Sequence, residues 1–157
     1  MIQQGDKLPE VTFQWLTDNG MQNPTTDDLF VGKKVILFAV PGAFTPTCSE
    51  AHLPGYVVNA DKLKEKGVDS IICLAVNDAF VMKAWGDAQN AEEIIMLADG
   101  DAAFTKAIGL DMDTRAFGGI RSQRYAILVE DGVVTQLNVE KPKGFEASKA
   151  ETMLGLV

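Results

Sequence analysis

Lys33-Lys34-Val35-Ile36-Leu37-Phe38-Ala39-Val40 decides the architecture. From Val35 onward both alternating faces are apolar, as a strand at the centre of a covered sheet requires, since neither face then meets water. Ile71-Ile72-Cys73-Leu74-Ala75-Val76 repeats the pattern. These six-residue runs are the longest apolar runs in the chain, far short of the roughly 20 residues that cross a bilayer. Around them the apolar spacing changes to that of helices. One helix is predicted from about Pro46, kinked at Pro54 and stopped by Gly67, with others over Ala79–Ala88 and 102–108. Thr12-Phe13-Gln14-Trp15-Leu16 reads as an early strand before an Asp18-Asn19-Gly20 turn, 26–30 as a short helix, and 94–97 as a further strand. Tyr125-Ala126-Ile127-Leu128-Val129 and Val133-Val134-Thr135-Gln136-Leu137 form a hairpin across Asp131-Gly132. Ser148-Lys149-Ala150-Glu151 has the spacing of a capping box opening a last helix. Alternating strands and helices predict an α/β domain with a central mixed β-sheet flanked by helices. The parallel βαβ units come first and the antiparallel hairpin last.

The length of 157 residues fits a single domain over 1–157, and no repeat or linker divides it. Hydrophobic residues at 46% exclude a disordered chain. Fourteen Lys and Arg against 22 Asp and Glu give a net charge of −8. Such a surface repels phosphate backbones and anionic lipid, so nucleic-acid and membrane partners are not expected. Met1-Ile2-Gln3-Gln4-Gly5-Asp6-Lys7-Leu8-Pro9 lacks the apolar core of an export signal, and Asn23-Pro24-Thr25 carries proline where glycosylation forbids it. A cytoplasmic protein is expected; an organelle-matrix protein after processing reads alike. The two cysteines are then free thiols rather than a disulfide framework. With one histidine they are too few for a four-ligand structural zinc site without carboxylates.

Chemistry concentrates in Pro41-Gly42-Ala43-Phe44-Thr45-Pro46-Thr47-Cys48-Ser49-Glu50-Ala51-His52, just after the first two-faced strand. Sheets of this class place their sites there. Thr45-Pro46 is a helix-start signal, with Thr favoured at the cap and Pro at the first helical position. Cys48 then falls in the first turn, beside free backbone N–H groups and the positive end of the helix dipole, which favour a thiolate. The Thr45 hydroxyl shares that turn. Position alone leaves an inert packing cysteine equally open. The proline- and glycine-rich loop, able to present backbone donors to a small ligand, tips the reading toward function.

Pro41, Thr45 and Cys48 match the Pro-x-x-x-Thr-x-x-Cys motif of peroxiredoxins. The longer string PGAFTPTCSEAHLPGY, followed by VNDAFVMKAWG at 76–86, resembles the atypical subfamily of animal peroxiredoxin five and plant type two peroxiredoxins. The resemblance runs from about Gly5 to the last helix. It implies a thioredoxin-like fold and a thiol peroxidase in which the Cys48 thiolate attacks a peroxide oxygen and becomes a sulfenic acid. It also implies an arginine beside the sulfur: Arg124, with Arg121 as the competitor, read as a surface charge. Arg124, the Thr45 hydroxyl and loop N–H groups would stabilise the moving charge, and Pro41 would shape the loop and shield the sulfur. Gly42, Phe44, Thr47, His52 and Phe117 are the expected surroundings of the pocket. No metal, haem or flavin cofactor is needed. Phe44 and Phe117 are candidate contacts of a homodimer.

The animal-type resolving cysteine has no counterpart in Gly144-Phe145-Glu146-Ala147-Ser148. Plant type two relatives carry a cysteine equivalent to Cys73, but mid-strand it reads as packing ahead of resolving. Regeneration is then expected from an external thiol: glutathione with glutaredoxin, or thioredoxin. His52, four residues after Cys48, reads as a polar residue that affects Cys48 or holds the loop; a structural histidine remains equally open. A peroxide-sensing signalling protein with little turnover is the alternative function, and a Cys48–His52 metal module a weaker one. No GxxxxGK[ST], GxGxxG or CxxC is present.

Overall fold

A computed structural model describes residues 1–157. The hairpin β1 (Trp15–Thr17) and β2 (Gly20–Gln22) turns across Asp18-Asn19 as its sequence predicts, although the first strand is shorter than 12–16. The short helix α1 (Thr26–Phe30) is opened by a capping box in which Thr25 and Asp28 satisfy each other's backbone N–H groups. The two-faced runs become β3 (Lys34–Ala39) and, after helix α2 (Leu53–Glu65), β4 (Ser70–Ala75). Helix α3 (Ala79–Ala88), capped by the Asp78 carboxylate, leads to β5 (Ile95–Ala98), helix α4 (Ala103–Ala107) and a small hairpin of β6 (Asp111–Asp113) and β7 (Ile120–Ser122). The long hairpin β8 (Tyr125–Glu130) and β9 (Val133–Val139) precedes the last helix, α5 (Ala150–Leu154).

The main sheet has the order β5-β4-β3-β8-β9, with β3, β4 and β5 parallel and β8 and β9 antiparallel to their neighbours. It is the mixed sheet that the sequence predicts. Alternation along the strands divides the interior into two layers. Ile36, Phe38, Val40 and Cys73 face Leu53, Tyr56, Trp85 and Met153 of α2, α3 and α5. Val35, Leu37, Ile72 and Leu74 face Phe13, Phe30 and Phe104 on the other side. The site is built at the carboxyl end of β3.

Two local expectations need correction, and one hairpin was not anticipated. The helix after β3 does not simply kink at Pro54. Residues Cys48–His52 form a π turn in which the Leu53 N–H donates to the Cys48 carbonyl. A regular turn would drive the Pro54 ring into the carbonyl four residues back; a widened turn relieves the clash. The capping box at Ser148 is absent. The Ser148 hydroxyl donates to the Glu140 carboxylate at 2.7 Å, and α5 starts after Lys149. The Ser148 N–H, which a capping box would pair with Glu151, also donates to Glu140 at 2.7 Å. Finally, the β6–β7 hairpin had no signal, because three-residue strands around Asp111-Met112-Asp113 are too short to show alternation.

Phe38 is fully buried and stacks on Tyr56, with ring centroids 4.0 Å apart. Replacing it by alanine should destabilise the fold by about 3–5 kcal/mol in urea unfolding. A loss below about 1 kcal/mol would contradict its place in a close-packed core.

Candidate active site

Beyond β3 the chain enters the loop at Pro41 and is held by its own polar groups. The Ala43 N–H donates to Asn77 Oδ1 at 2.9 Å, and the Thr45 hydroxyl donates to the Gly42 carbonyl at 2.7 Å. Gly42 fits this approach because a Cβ there would lie 3.2 Å from Thr45 Cγ2. Phe44 takes a left-handed conformation (φ 64°), which side chains other than glycine adopt at a cost. The helix opens at Pro46, and Cys48 occupies its third position. The Ser49 N–H donates to the Thr45 carbonyl, whereas those of Thr47 and Cys48 have no partner within the chain. Two backbone donors are thus free in the first turn, beside the sulfur's own backbone.

Cys48 is fully buried. Its sulfur accepts a hydrogen bond from Arg124 Nη2 at 3.0 Å. The other guanidinium nitrogen, Nη1, donates to His52 Nδ1 at 2.7 Å. His52 Nε2 lies 3.1 Å from the Ser148 carbonyl. Arginine can only donate and a carbonyl can only accept. His52 therefore carries its proton on Nε2. Burial, and then the neighbouring Arg124 charge, push its pKa down to about 3, so the ring is neutral at physiological pH. With both nitrogens engaged, His52 has no lone pair left for a metal, which removes the Cys48–His52 metal reading. His52 also packs between Phe38 and Phe145, at centroid distances of 4.9 and 5.0 Å.

Register explains how Arg124 arrives. Ala39 pairs with Tyr125, so the residue before β8 faces the end of β3, where the loop begins. Arg121 does not compete. It is half-buried, and it donates through Nη1 to the Val76 carbonyl and through Nε to the Gly118 carbonyl. It braces two loops instead of standing free on the surface as its sequence position suggested. Cys73 lies in β4 opposite Phe38 of β3 and Met96 of β5, fully buried. Burial, and secondarily the proximity of Cys48, push its thiol well above the ordinary range.

A cavity of about 440 Å³ opens on Pro41, Thr47 and Arg124, with Met112, Lys141 and Phe145 among its other walls. Cys48, Arg124 and His52 thus meet in one cluster, and Pro41 and Thr47 face the cavity beside it. The Thr45 hydroxyl is spent on the Gly42 carbonyl and holds the loop. Phe44 and Phe117 stay 56% and 67% exposed. Sequence reasoning did not find Asn77, Ser148 or Glu140. Asn77 lies inside the VNDAFVMKAWG string that carries the resemblance, but nothing local in it points to the Ala43 N–H, 34 positions away.

The redoxin family profile matches residues 3–154. Peroxiredoxin-2E, chloroplastic, of Arabidopsis thaliana is 50% identical over 159 residues, covering 98% of this chain and 68% of that protein. Peroxiredoxin-2D of Arabidopsis thaliana is 46% identical, covering 96% and 94%. Reduced Prx3 from Vibrio vulnificus, solved in complex with hydrogen peroxide, is 68% identical with a TM-score of 0.98 over 99% of each chain. A match across nearly the whole length, with an arginine on a buried cysteine at the head of a helix, leaves one conclusion: the chain belongs to the peroxiredoxins, the thiol-dependent peroxidases of the redoxin family.

Proposed function

We propose that Cys48 is the peroxidatic sulfur and that Arg124 is its principal electrostatic partner. The 3.0 Å contact between Arg124 Nη2 and Sγ carries this reading. A guanidinium is permanently charged and presents several donors in one plane. Beside the sulfur it places a fixed positive charge and a directed donor at the reacting atom. As the S–O bond forms and the O–O bond breaks, negative charge moves from sulfur to the departing oxygen, and the free donors can follow it. The unpartnered N–H groups of Thr47 and Cys48 are placed to assist. The leaving oxygen takes up a proton and departs as water or an alcohol, and Cys48 is left as a sulfenic acid. Pro41 and Thr47 admit the peroxide from the cavity, while Gly42, Thr45 and Phe44 set the loop's shape.

The reductant in this reading is external. One thiol condenses with the sulfenic acid, releasing water and forming a mixed disulfide. A second thiol then frees Cys48 and carries away the disulfide. Glutathione with glutaredoxin, or thioredoxin, supplies these electrons. Cys73 acts as packing. It stands mid-strand with its thiol held protonated, so in this fold it is a poor attacking group. Exposed Phe44 and Phe117 suit a homodimer interface. The substrates are hydrogen peroxide and small organic hydroperoxides. A cytoplasmic or other reducing compartment keeps both thiols free.

Cys48→Ser should abolish peroxide consumption, and retained turnover would overturn the assignment. Arg124→Ala should slow oxidation of Cys48 by about 10²-fold in stopped-flow fluorescence. An unchanged second-order rate constant would transfer its role elsewhere. Cys73→Ser should keep glutathione-supported steady-state turnover within about twofold, since a packing residue supplies no electrons. Loss of turnover with intact folding would make Cys73 the resolving thiol. Slow cycling of the wild type with every thiol would favour the sensor.

A further inference from the structure

The hydrogen bonds that hold Arg124 do not end at His52. The Ser148 carbonyl that accepts from His52 Nε2 also accepts from the Tyr56 hydroxyl at 2.6 Å. It belongs to the segment between β9 and α5, which has no regular structure of its own. Asn138 Nδ2 donates to the Ala147 carbonyl at 2.9 Å and the Thr152 hydroxyl to the Glu146 carbonyl, but Glu140 makes the most hydrogen bonds to the segment. Glu140 Oε2 accepts from both the Ser148 N–H and the Ser148 hydroxyl at 2.7 Å, and Oε1 accepts from the Glu146 N–H at 3.1 Å. Glu140's own N–H donates to the Arg124 carbonyl at 2.9 Å, because both residues flank the Tyr125–Val139 pair at the end of the β8–β9 hairpin. The contacts therefore close a ring: Glu140 carboxylate, Ser148, His52, the Arg124 guanidinium, the Arg124 backbone, and back to Glu140.

We propose that Glu140 is a positioning residue for peroxide reduction: by fixing the Ser148 carbonyl it holds His52, and through His52 it aims the Arg124 guanidinium at the Cys48 sulfur. The inference rests on the peroxidase reading of Cys48 and Arg124.

The physical logic has three steps. A neutral imidazole can accept from Arg124 on Nδ1 only while its proton stays on Nε2. An acceptor opposite Nε2 fixes that proton and the plane of the ring. That acceptor is a loop carbonyl, whose position is no better defined than the loop. Glu140 supplies the definition. Burial opposes ionisation of its carboxyl, yet the hydrogen bonds from Ser148 and the adjacent backbone hold it below the ordinary carboxylate range. Glu140 remains an anion, and an anion with three donors grips the loop more tightly than a neutral amide would. The guanidinium is a flat fork whose two nitrogens must serve two partners at once. A small rotation of His52 would pull Nη1 with it and swing Nη2 off the sulfur. The Thr45 hydroxyl, committed to the Gly42 carbonyl, does not replace that contact.

His52 is the only histidine in the chain, so its ring signals in an ¹⁵N-labelled sample need no assignment. The wild type should show one neutral form with a slowly exchanging Nε2–H proton. In Glu140→Gln that proton should exchange faster and its shift should move, as the bond to Ser148 loosens. The same variant should react with hydrogen peroxide about tenfold more slowly in stopped flow, the scale seen when a group that orients a functional ligand is lost. Trp85 reports the reaction, because its indole N–H donates to Ser49, the neighbour of Cys48. Ser148→Ala, which removes one of the three donors and keeps the backbone, should move both readouts the same way by less; it carries the test if the Gln variant does not fold. Unchanged His52 signals with a rate within about twofold of wild type would overturn the proposal. A slower rate with unchanged His52 signals would also overturn it, since the effect would then bypass His52. A wild type inert to peroxide would instead sink the peroxidase reading, and the His52 signals would still report whether Glu140 sets the ring.

Discussion

A single guanidinium is shared between a sulfur and an imidazole, and much of the surrounding structure serves to make that sharing possible. Arg124 reaches Cys48 with Nη2 and His52 with Nη1. Both partners are fully buried and both stand on one π turn. A half-buried cation held against them needs acceptors for its N–H groups. The neutral His52 supplies one acceptor and the Cys48 sulfur supplies the other. The arrangement thus satisfies the arginine with the reacting sulfur itself.

The fold provides this meeting from opposite directions. Cys48 comes from the loop after β3, at the positive end of a helix. Arg124 comes from the start of β8, which runs antiparallel beside β3. A central strand with a parallel neighbour on one side and an antiparallel neighbour on the other brings both groups to the same end of the sheet. The π turn adds a local adjustment. It absorbs Pro54 and sends His52 inward against Phe38 and Phe145. Proline therefore shapes the site twice: Pro46 opens the helix that carries the sulfur, and Pro54 is accommodated by the widened turn that ends at His52.

The frame of this architecture is legible in the residues because its determinants are local. Two-faced apolar runs specify covered strands, and Asp131-Gly132 specifies a hairpin. Thr45-Pro46 sets the helix start, and with it the place of Cys48. Arg124 is different. It lies 76 positions from Cys48, and only strand register brings the two together, so its role came from family resemblance rather than spacing. The same limit explains the misreadings. Ser148 has the spacing of a capping residue, but the Glu140 carboxylate takes the backbone N–H that Glu151 would have to accept. Arg121 looks like a strand-end charge until Val76 and Gly118 are placed beside it. Asn77 has no local mark of its role, because the loop that it holds lies 34 positions away in the chain. Side-chain partners brought together by tertiary folding are what a linear reading cannot supply.

The central claim is that Cys48 is an activated sulfur that takes one oxygen from peroxide and waits for an external thiol. Intact mass of the reduced protein, taken seconds after one equivalent of hydrogen peroxide with no thiol present, tests it most directly. Rapid gain of one oxygen atom, located on Cys48, is expected. An unchanged mass with peroxide still present would contradict the activation of Cys48. Loss of two hydrogens would contradict the external route and join Cys48 to Cys73.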